Sequence, residues 1–185
     1  AALDAISDHI KAPTVVVRVL EGADEAERDA NIVAGMEKLR SAKTQLGVQP
    51  RILGVPGADT QVVTAALATV AQELNGFIYA SAWGATTKEE AVAYRDNFGQ
   101  REIMIIWPEF KNGTDTISAV ARALGMRSKL DIEQGWHKSL SNVEVNGVTG
   151  TSIDVSWALT KHTTDAAYLN ENEVTTLIRE KGFRF

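Results

Sequence analysis

Four short segments of this chain, residues 14–20, 51–55, 77–82 and 103–107, are apolar almost without interruption, and turn residues bound each of them. Continuous rather than alternating hydrophobicity marks strands covered on both faces, a demand met by a parallel sheet with helices on either side. The intervening segments carry helical period. Val63, Leu67, Val70 and Leu74 fall on one helical face, with Asp59 and Thr60 as candidate N-caps and Asn75-Gly76 as a stop. Thr87-Lys88-Glu89-Glu90 forms a capping box that opens a helix bearing Ala91, Tyr94 and Phe98, with Gly99 just past its end. Residues 23–46 are rich in helix formers, but Gly35 and Asp29-Ala30-Asn31 weaken the first half, so the expected helix covers about 36–46. A further helix is expected near 116–126. The alternation predicts an α/β fold: a mostly parallel sheet with right-handed crossovers and helices on both faces, a doubly wound core over residues 12–130.

The pattern changes after Leu130. Gly, Asn, Ser and Thr become frequent, and hairpin signals replace helical period. Val143 and Val145 alternate with polar neighbours, Asn146-Gly147 suits a type I′ turn, and Val148 begins the expected return strand. Ile153, Val155 and Trp157 alternate as a further half-buried strand. Asn170-Glu171-Asn172-Glu173 is a candidate cap for a terminal helix carrying Val174, Leu177 and Ile178, ended by Gly182. Residues 131–185 thus read as a loop, a β-hairpin and a final helix attached to the core. With 185 residues, 44% hydrophobic, and neither a repeat nor a long linker, the chain reads as one domain, able to form a core without a disulfide.

Chemistry is sparse. Zero Cys removes thiol nucleophiles, iron–sulfur clusters and Cys-based zinc sites. A formal charge of -5 with scattered Lys and Arg argues against nucleic acid, and no apolar run approaches the length of a membrane span. His9, His137 and His162 show no metal-ligand spacing. Gly54-Val55-Pro56-Gly57 leads from a strand into a helix but matches no phosphate fingerprint: a third Gly and a Gly-Lys-Ser/Thr are missing, and Asp59 puts negative charge where an anion would sit. Gly150-Thr151-Ser152 resembles the stretch around the nucleophile of subtilisin-like proteases, with Asp154 and His162 nearby. The chain order is wrong for that triad, and turn chemistry accounts for the residues. Glu109 stands where an α/β enzyme could place a carboxylate, yet the sequence shows no partner for it. No catalytic, cofactor-binding or metal-binding residue is assigned, and no cofactor is expected.

Several stretches together resemble the tail sheath proteins of contractile bacteriophages, particularly the P2-like sheath, and the related sheaths of R-type pyocins. The resemblance rests on Arg51-Ile52-Leu53-Gly54-Val55-Pro56-Gly57, on residues 88–95 and 97–102, and on Gly135-Trp136-His137-Lys138-Ser139-Leu140-Ser141-Asn142-Val143 with Asn146-Gly147-Val148-Thr149-Gly150. It extends to Tyr168-Leu169-Asn170 and the closing Gly182-Phe183-Arg184-Phe185, and so covers nearly everything from Pro13 onward. It implies a subtilisin-like or Rossmann-like layering without a triad, no enzymatic activity, and a structural role in the virion. That role is the subunit of a contractile sheath, assembled in the host cytoplasm, whose contraction drives a tail tube through the host envelope for genome delivery. The implied partners are other sheath subunits in a helical homopolymer and the tail tube; neither nucleic acid nor membrane insertion is implied. Against the family's pattern, residues 29–36 look shortened and the loop 111–114 compact. We expect the chain to be the core of a longer subunit, with an N-terminal segment and a C-terminal inner domain absent, and to be monomeric alone. The rival readings are an R-type bacteriocin sheath, with the same mechanics and no genome, and a small α/β hydrolase or nucleotide-binding domain, which every motif test disfavours.

Overall fold

Ile78, Ile105 and Val174, three side chains almost without exposure, stand on three neighbouring parallel strands and fix one face of the central sheet. The computed structural model describes residues 1–185. Its elements in chain order are α1 (Ala2–Ser7), α2 (Glu25–Leu46), β1 (Ile52–Leu53), α3 (Gln61–Leu74), β2 (Phe77–Ser81), α4 (Lys88–Arg95), β3 (Ile103–Ile106), β4 (Phe110–Asn112), β5 (Asp115–Ile117) and α5 (Ala119–Glu133). There follow β6 (Gly150–Thr151), α6 (Asp165–Glu171), β7 (Val174–Thr175), β8 (Ile178–Arg179) and β9 (Phe183–Arg184). The parallel sheet has the order β1-β2-β3-β7; β5-β4-β6 and β8-β9 are small antiparallel sheets. The fold is mixed α/β with a parallel sheet and helices.

Strand pleat sorts the side chains into two cores. Leu53, Ile78, Ala80, Ile105 and Val174 cluster with Val63, Leu67, Val70 and Leu74 of α3 and with Ala91 and Val92 of α4. Tyr79 and Ile106 join Phe110 and the α5 residues Val120, Ala123 and Leu124 in the second cluster, with Ile52 and Met104 packed at its margin. Outside these layers, α2 packs on α3 and α1 on α5. The local signals that place α3 and α4 act as expected. The Thr60 hydroxyl accepts from the N–H of Val63 and caps α3, which ends on Asn75 in the left-handed region. Thr87 and Glu90 exchange side-chain to backbone hydrogen bonds and cap α4.

The structure corrects several of the expected elements. Residues 14–20 belong to no helix or sheet; the fourth parallel strand is β7, from the C-terminal part of the chain. The parallel core is therefore not confined to residues 12–130. Helix α2 is 22 residues long and includes the half that looked weak. Asp24 caps it, and Glu27 accepts from the N–H of Ala23, while Gly35 is tolerated because Val19 lies directly on its backbone. Helix α5 begins at Ala119 rather than near 116, since residues 115–117 form a hairpin with β4 around Gly113, whose φ is 62°. It also runs on to Glu133, because buried Leu130 continues its inner face.

The hairpin expected at 143–148 is absent. Gly147 has φ 70° but Asn146 is not left-handed, so the turn is not type I′, and its two arms pair elsewhere. The N–H of Val145 donates to the carbonyl of Phe183, and β6 pairs with β4. Ile153, Val155 and Trp157 lie in irregular backbone. The terminal helix is likewise replaced. Thr164 caps α6 earlier in the chain, Glu173 takes φ 58° and breaks the helix, and β-branched Val174 and Thr175 pair with the open edge of β3. Ile178 then enters the β8-β9 hairpin.

Candidate functional site

In open α/β sheets, ligands bind beyond the C-terminal ends of the parallel strands. At that end the structure places Asp59, Ser81 and Glu109. The turn after β1 brings Asp59 inward, so that Thr60 alone caps α3 while the Asp59 carboxylate reaches the end of β2. Its Oδ2 accepts from the Ser81 N–H (3.2 Å) and hydroxyl (2.7 Å). Tyr94, from α4, donates to the Asp59 carbonyl at 2.6 Å. Glu109, in the loop after β3, accepts from the N–H of Ala119 at 2.7 Å and so satisfies an N-terminal donor of α5. Asp59 is 1% exposed, and burial pushes its carboxyl up to about 7, against the pull of the Ser81 hydrogen bonds and with a further push from Glu109. Burial raises Glu109 as well, opposed by the Ala119 N–H.

A raised carboxyl beside a second acid is the electrostatic pattern of an acid–base site, but geometry decides what it can do. Asp59, Ser81 and Glu109 line neither of the two large clefts, and no third His, Asp or Glu completes a metal-binding group with them. The arrangement holds α3, β2 and the start of α5 together at one end of the sheet. Sequence reading missed it because Ser81, the partner of Asp59, lies 22 positions away, the partner of Glu109 is a backbone N–H that no side-chain pattern reveals, and Asp59 resembled a helix cap; the only signal was two candidate caps in succession.

The other candidate residues do not converge. Ser152 donates its N–H to the carbonyl of Glu109 at 2.7 Å, while its hydroxyl meets no histidine or carboxylate. His137 and His162 are exposed, and His9 packs near Gly125 of α5 with a buried Nε2 that has no partner. In the turn at 54–57, Gly57 takes φ 82° and the Ala58 N–H closes on the Val55 carbonyl. Asp131 pairs with the buried Arg127, which also donates to the carbonyls of Gly135 and Lys138 and so pins the loop between them. That loop holds Trp136 out into solvent, 86% exposed.

The open surface lies elsewhere on the molecule. A cleft of about 880 Å³ is lined by Tyr79, Met104, Trp136, Trp157 and Leu159. A groove of about 710 Å³ runs between residues 12–19, α2 and β1.

Residues 29–185 match the family model of the phage tail sheath protein central domain. The chain belongs to the phage tail sheath family. It is 50% identical to the tail sheath protein of Escherichia phage P2 over 206 aligned positions, which cover 100% of this chain and 52% of that protein. It is 45% identical to the major tail sheath protein of Serratia phage KSP20, covering 100% of this chain and 51% of the relative. This sheath-family chain thus spans about half the length of the curated relatives it matches. Among solved structures, its fold resembles a chain in the anti-feeding prophage baseplate, with a TM-score of 0.71 and 21% identity over 99% of this chain and 47% of that one. It also resembles a chain of the contracted helical sheath of the same particle, with a TM-score of 0.60 and 22% identity over 89% and 43%. Within the sheath family, the Gly135–Ser139 stretch singled out in the sequence is an exposed, pinned loop with no catalytic partner.

Proposed function

We propose that this chain is the central domain of a contractile tail sheath subunit, a virion structural protein that polymerises helically around a tail tube. Contraction of that polymer drives the tube through the host envelope. The observation that carries this reading is 50% identity, along the whole chain, to a protein named a tail sheath protein. The domain acts as a stiff body, since two packed cores and a parallel sheet leave little soft structure between its ends, and conformational change is carried by contacts between subunits. The layering is of the doubly wound type, and residues 1–185 fold as one domain within a longer subunit. Joining segments and tube contacts belong to the remainder of the full-length protein, and assembly takes place in the host cytoplasm before the sheath enters the virion.

No enzymatic activity, cofactor or metal belongs to this reading. Asp59, held by Ser81, and Glu109, held by the Ala119 N–H, support a structural role, and Ser152 has no base. A serine-reactive phosphonate is expected to leave Ser152 unlabelled; labelling that Ser152→Ala abolishes would contradict the non-enzymatic reading.

Trp136 is the contact we assign to the lattice. An exposed aromatic on a loop fixed by two hydrogen bonds from Arg127 carries a low ordering cost on binding, and Trp is enriched at interface hot spots. Electron microscopy of the full-length protein is expected to show tubes or rings. Trp136→Ala is expected to reduce them while leaving the domain folded, and discs or tubes that never form under any condition would overturn the sheath reading.

A further inference from the structure

The backbone of residues 11–22 makes no hydrogen bond to any other backbone group. Its side chains nonetheless behave like those of a strand: Val15, Val17 and Val19 are partly buried, while Thr14, Val16, Arg18 and Leu20 are exposed. Val17 and Val19 face α2, where a Cβ at Gly35 would lie 2.4 Å from Val19 and 3.4 Å from Val17, and Val15 follows them in the same alternation. The neighbouring edge is also open. β1 ends the sheet order β1-β2-β3-β7, and Ile52, whose N–H and C=O point away from β2 by strand alternation, makes no bond to the segment facing it. The groove between them is lined on one wall by Val15, Val17 and Val19 and on the other by Ile52, Leu53 and Gly54. Four bulky apolar side chains left exposed in this structure, Leu3, Val16, Val48 and Ile132, border the same groove.

We propose that residues 14–20 are a strap that closes onto the free edge of β1 as a further parallel strand, and that the structure shows it open. Three observations define the closed form. Val15, Val17 and Val19 already face the α2 side, the side to which Leu53 points, so they share a face with Leu53 while Val16 shares the opposite face with Ile52. Closure therefore brings Val16, 65% exposed, towards Ile132, also 65% exposed, on the flank of α5. The link from the segment through α2 to β1 is a strand–helix–strand crossover of ordinary length, the connection that parallel pairing requires. With Val16 opposite Ile52, the Val17 N–H donates to the Ile52 carbonyl, the Ile52 N–H to the Val15 carbonyl, and the Gly54 N–H to the Val17 carbonyl. The Val16 and Arg18 amides point outward. Closing the strap also masks an edge that a second copy could otherwise pair with.

Amide hydrogen exchange read residue by residue on the 185-residue chain tests this. Val17, Val19, Ile52 and Gly54 are expected to exchange about ten-fold or more slowly than Val16 and Arg18, an alternation that simple burial of the segment does not produce. Val17→Pro removes the central donor and is expected to speed exchange at Ile52 and Gly54 while Ile78 in the middle of the sheet stays protected; Val17→Thr, which keeps the N–H, is expected to leave them slow. Uniformly fast exchange over residues 14–20, or fast exchange at Ile52 and Gly54 in the unsubstituted chain, overturns the proposal without need of a variant. Protection that appears only as protein concentration rises also overturns it, because the strand on β1 would then come from a second copy.

Discussion

Asp59 is buried and His9 is half-buried with an enclosed Nε2, and their effects on stability run against each other. Burial holds Asp59 at about 7 in the folded protein, from an ordinary value of 3.8. The folded state therefore binds the proton more tightly, and the stability this confers is present below about 4 and lost as pH rises towards 7. His9 moves the other way. Burial, reinforced by Arg122 and Lys129 and opposed by Asp8, lowers it from 6.5 to about 4, in keeping with a buried Nε2 that has no acceptor. Its contribution is present above 6.5 and lost as pH falls towards 4. Glu109 adds to the slope of Asp59, since it too is raised. Chemical denaturation of the unsubstituted chain between pH 4.5 and 6.5 is thus expected to give a shallow profile. Asp59→Asn should make stability rise with pH across that window, and His9→Gln should make it fall; unchanged profiles in both variants would place these groups in contact with water. Composition shows that such residues exist, but only the fold shows which lose their water. Glu109 stood at a suggestive position in the sequence with no visible partner, and the partner is the backbone N–H of Ala119 at the start of α5, which side-chain patterns do not reveal.

Helices with complete local signals are legible, and segments whose partners are distant are not. α3 has an apolar face, a Thr cap and an Asn stop within its own span, and α4 has a capping box; both begin where expected, although α4 ends at Arg95 and leaves Phe98 beyond it. On the inner face of α3, Leu67→Ala is expected to cost about 2–5 kcal/mol, the range for a buried Leu in a packed interior, whereas truncating exposed Val62 on the opposite face should change stability by less than about 0.5 kcal/mol. Equal losses at the two positions in urea titrations would mean that the inward face is wrongly placed. β7 shows the reverse case. Val174, Leu177 and Ile178 have helical spacing, but a break at Glu173 and an unpaired edge on β3 give the β-branched pair a better solution as a strand. Asn146-Gly147 fails similarly. The turn forms, but Gly147 is required by its φ of 70°, with the Arg122 guanidinium lying over it, and the flanking segments find partners in β4 and near Phe183. A local motif predicts a turn; the pairing of its arms is decided by the rest of the chain.

At the scale of the whole molecule, the polymer-forming role proposed here must be reconciled with a domain that offers few strong contacts of its own. The exposed bulky apolar residues fall largely into two places. Leu3, Val16, Val48 and Ile132 border the groove that the strap of residues 14–20 is placed to fill, which takes them out of intermolecular use. Phe77, Trp136 and Leu159 remain beside the larger cleft, and Leu20, Leu46, Val62 and Trp83 lie outside both. Three side chains at one cleft and four single ones elsewhere fall short of the roughly 1,200 Å² that stable interfaces bury, and a net charge of -5 on every copy adds repulsion. Contacts of that strength become durable only when a subunit makes several at once, as in a helical lattice, where the second and later contacts form at high effective concentration. The isolated 185-residue chain is therefore expected to be monomeric at micromolar concentration, with a light-scattering mass near 20.0 kDa that does not change on dilution. Trp136→Ala should leave that mass unchanged even though it weakens assembly of the full-length protein. A stable dimer or ring of the chain alone would mean that the central domain carries the lattice by itself, and that the joining segments assigned to the rest of the subunit are not what holds the sheath together.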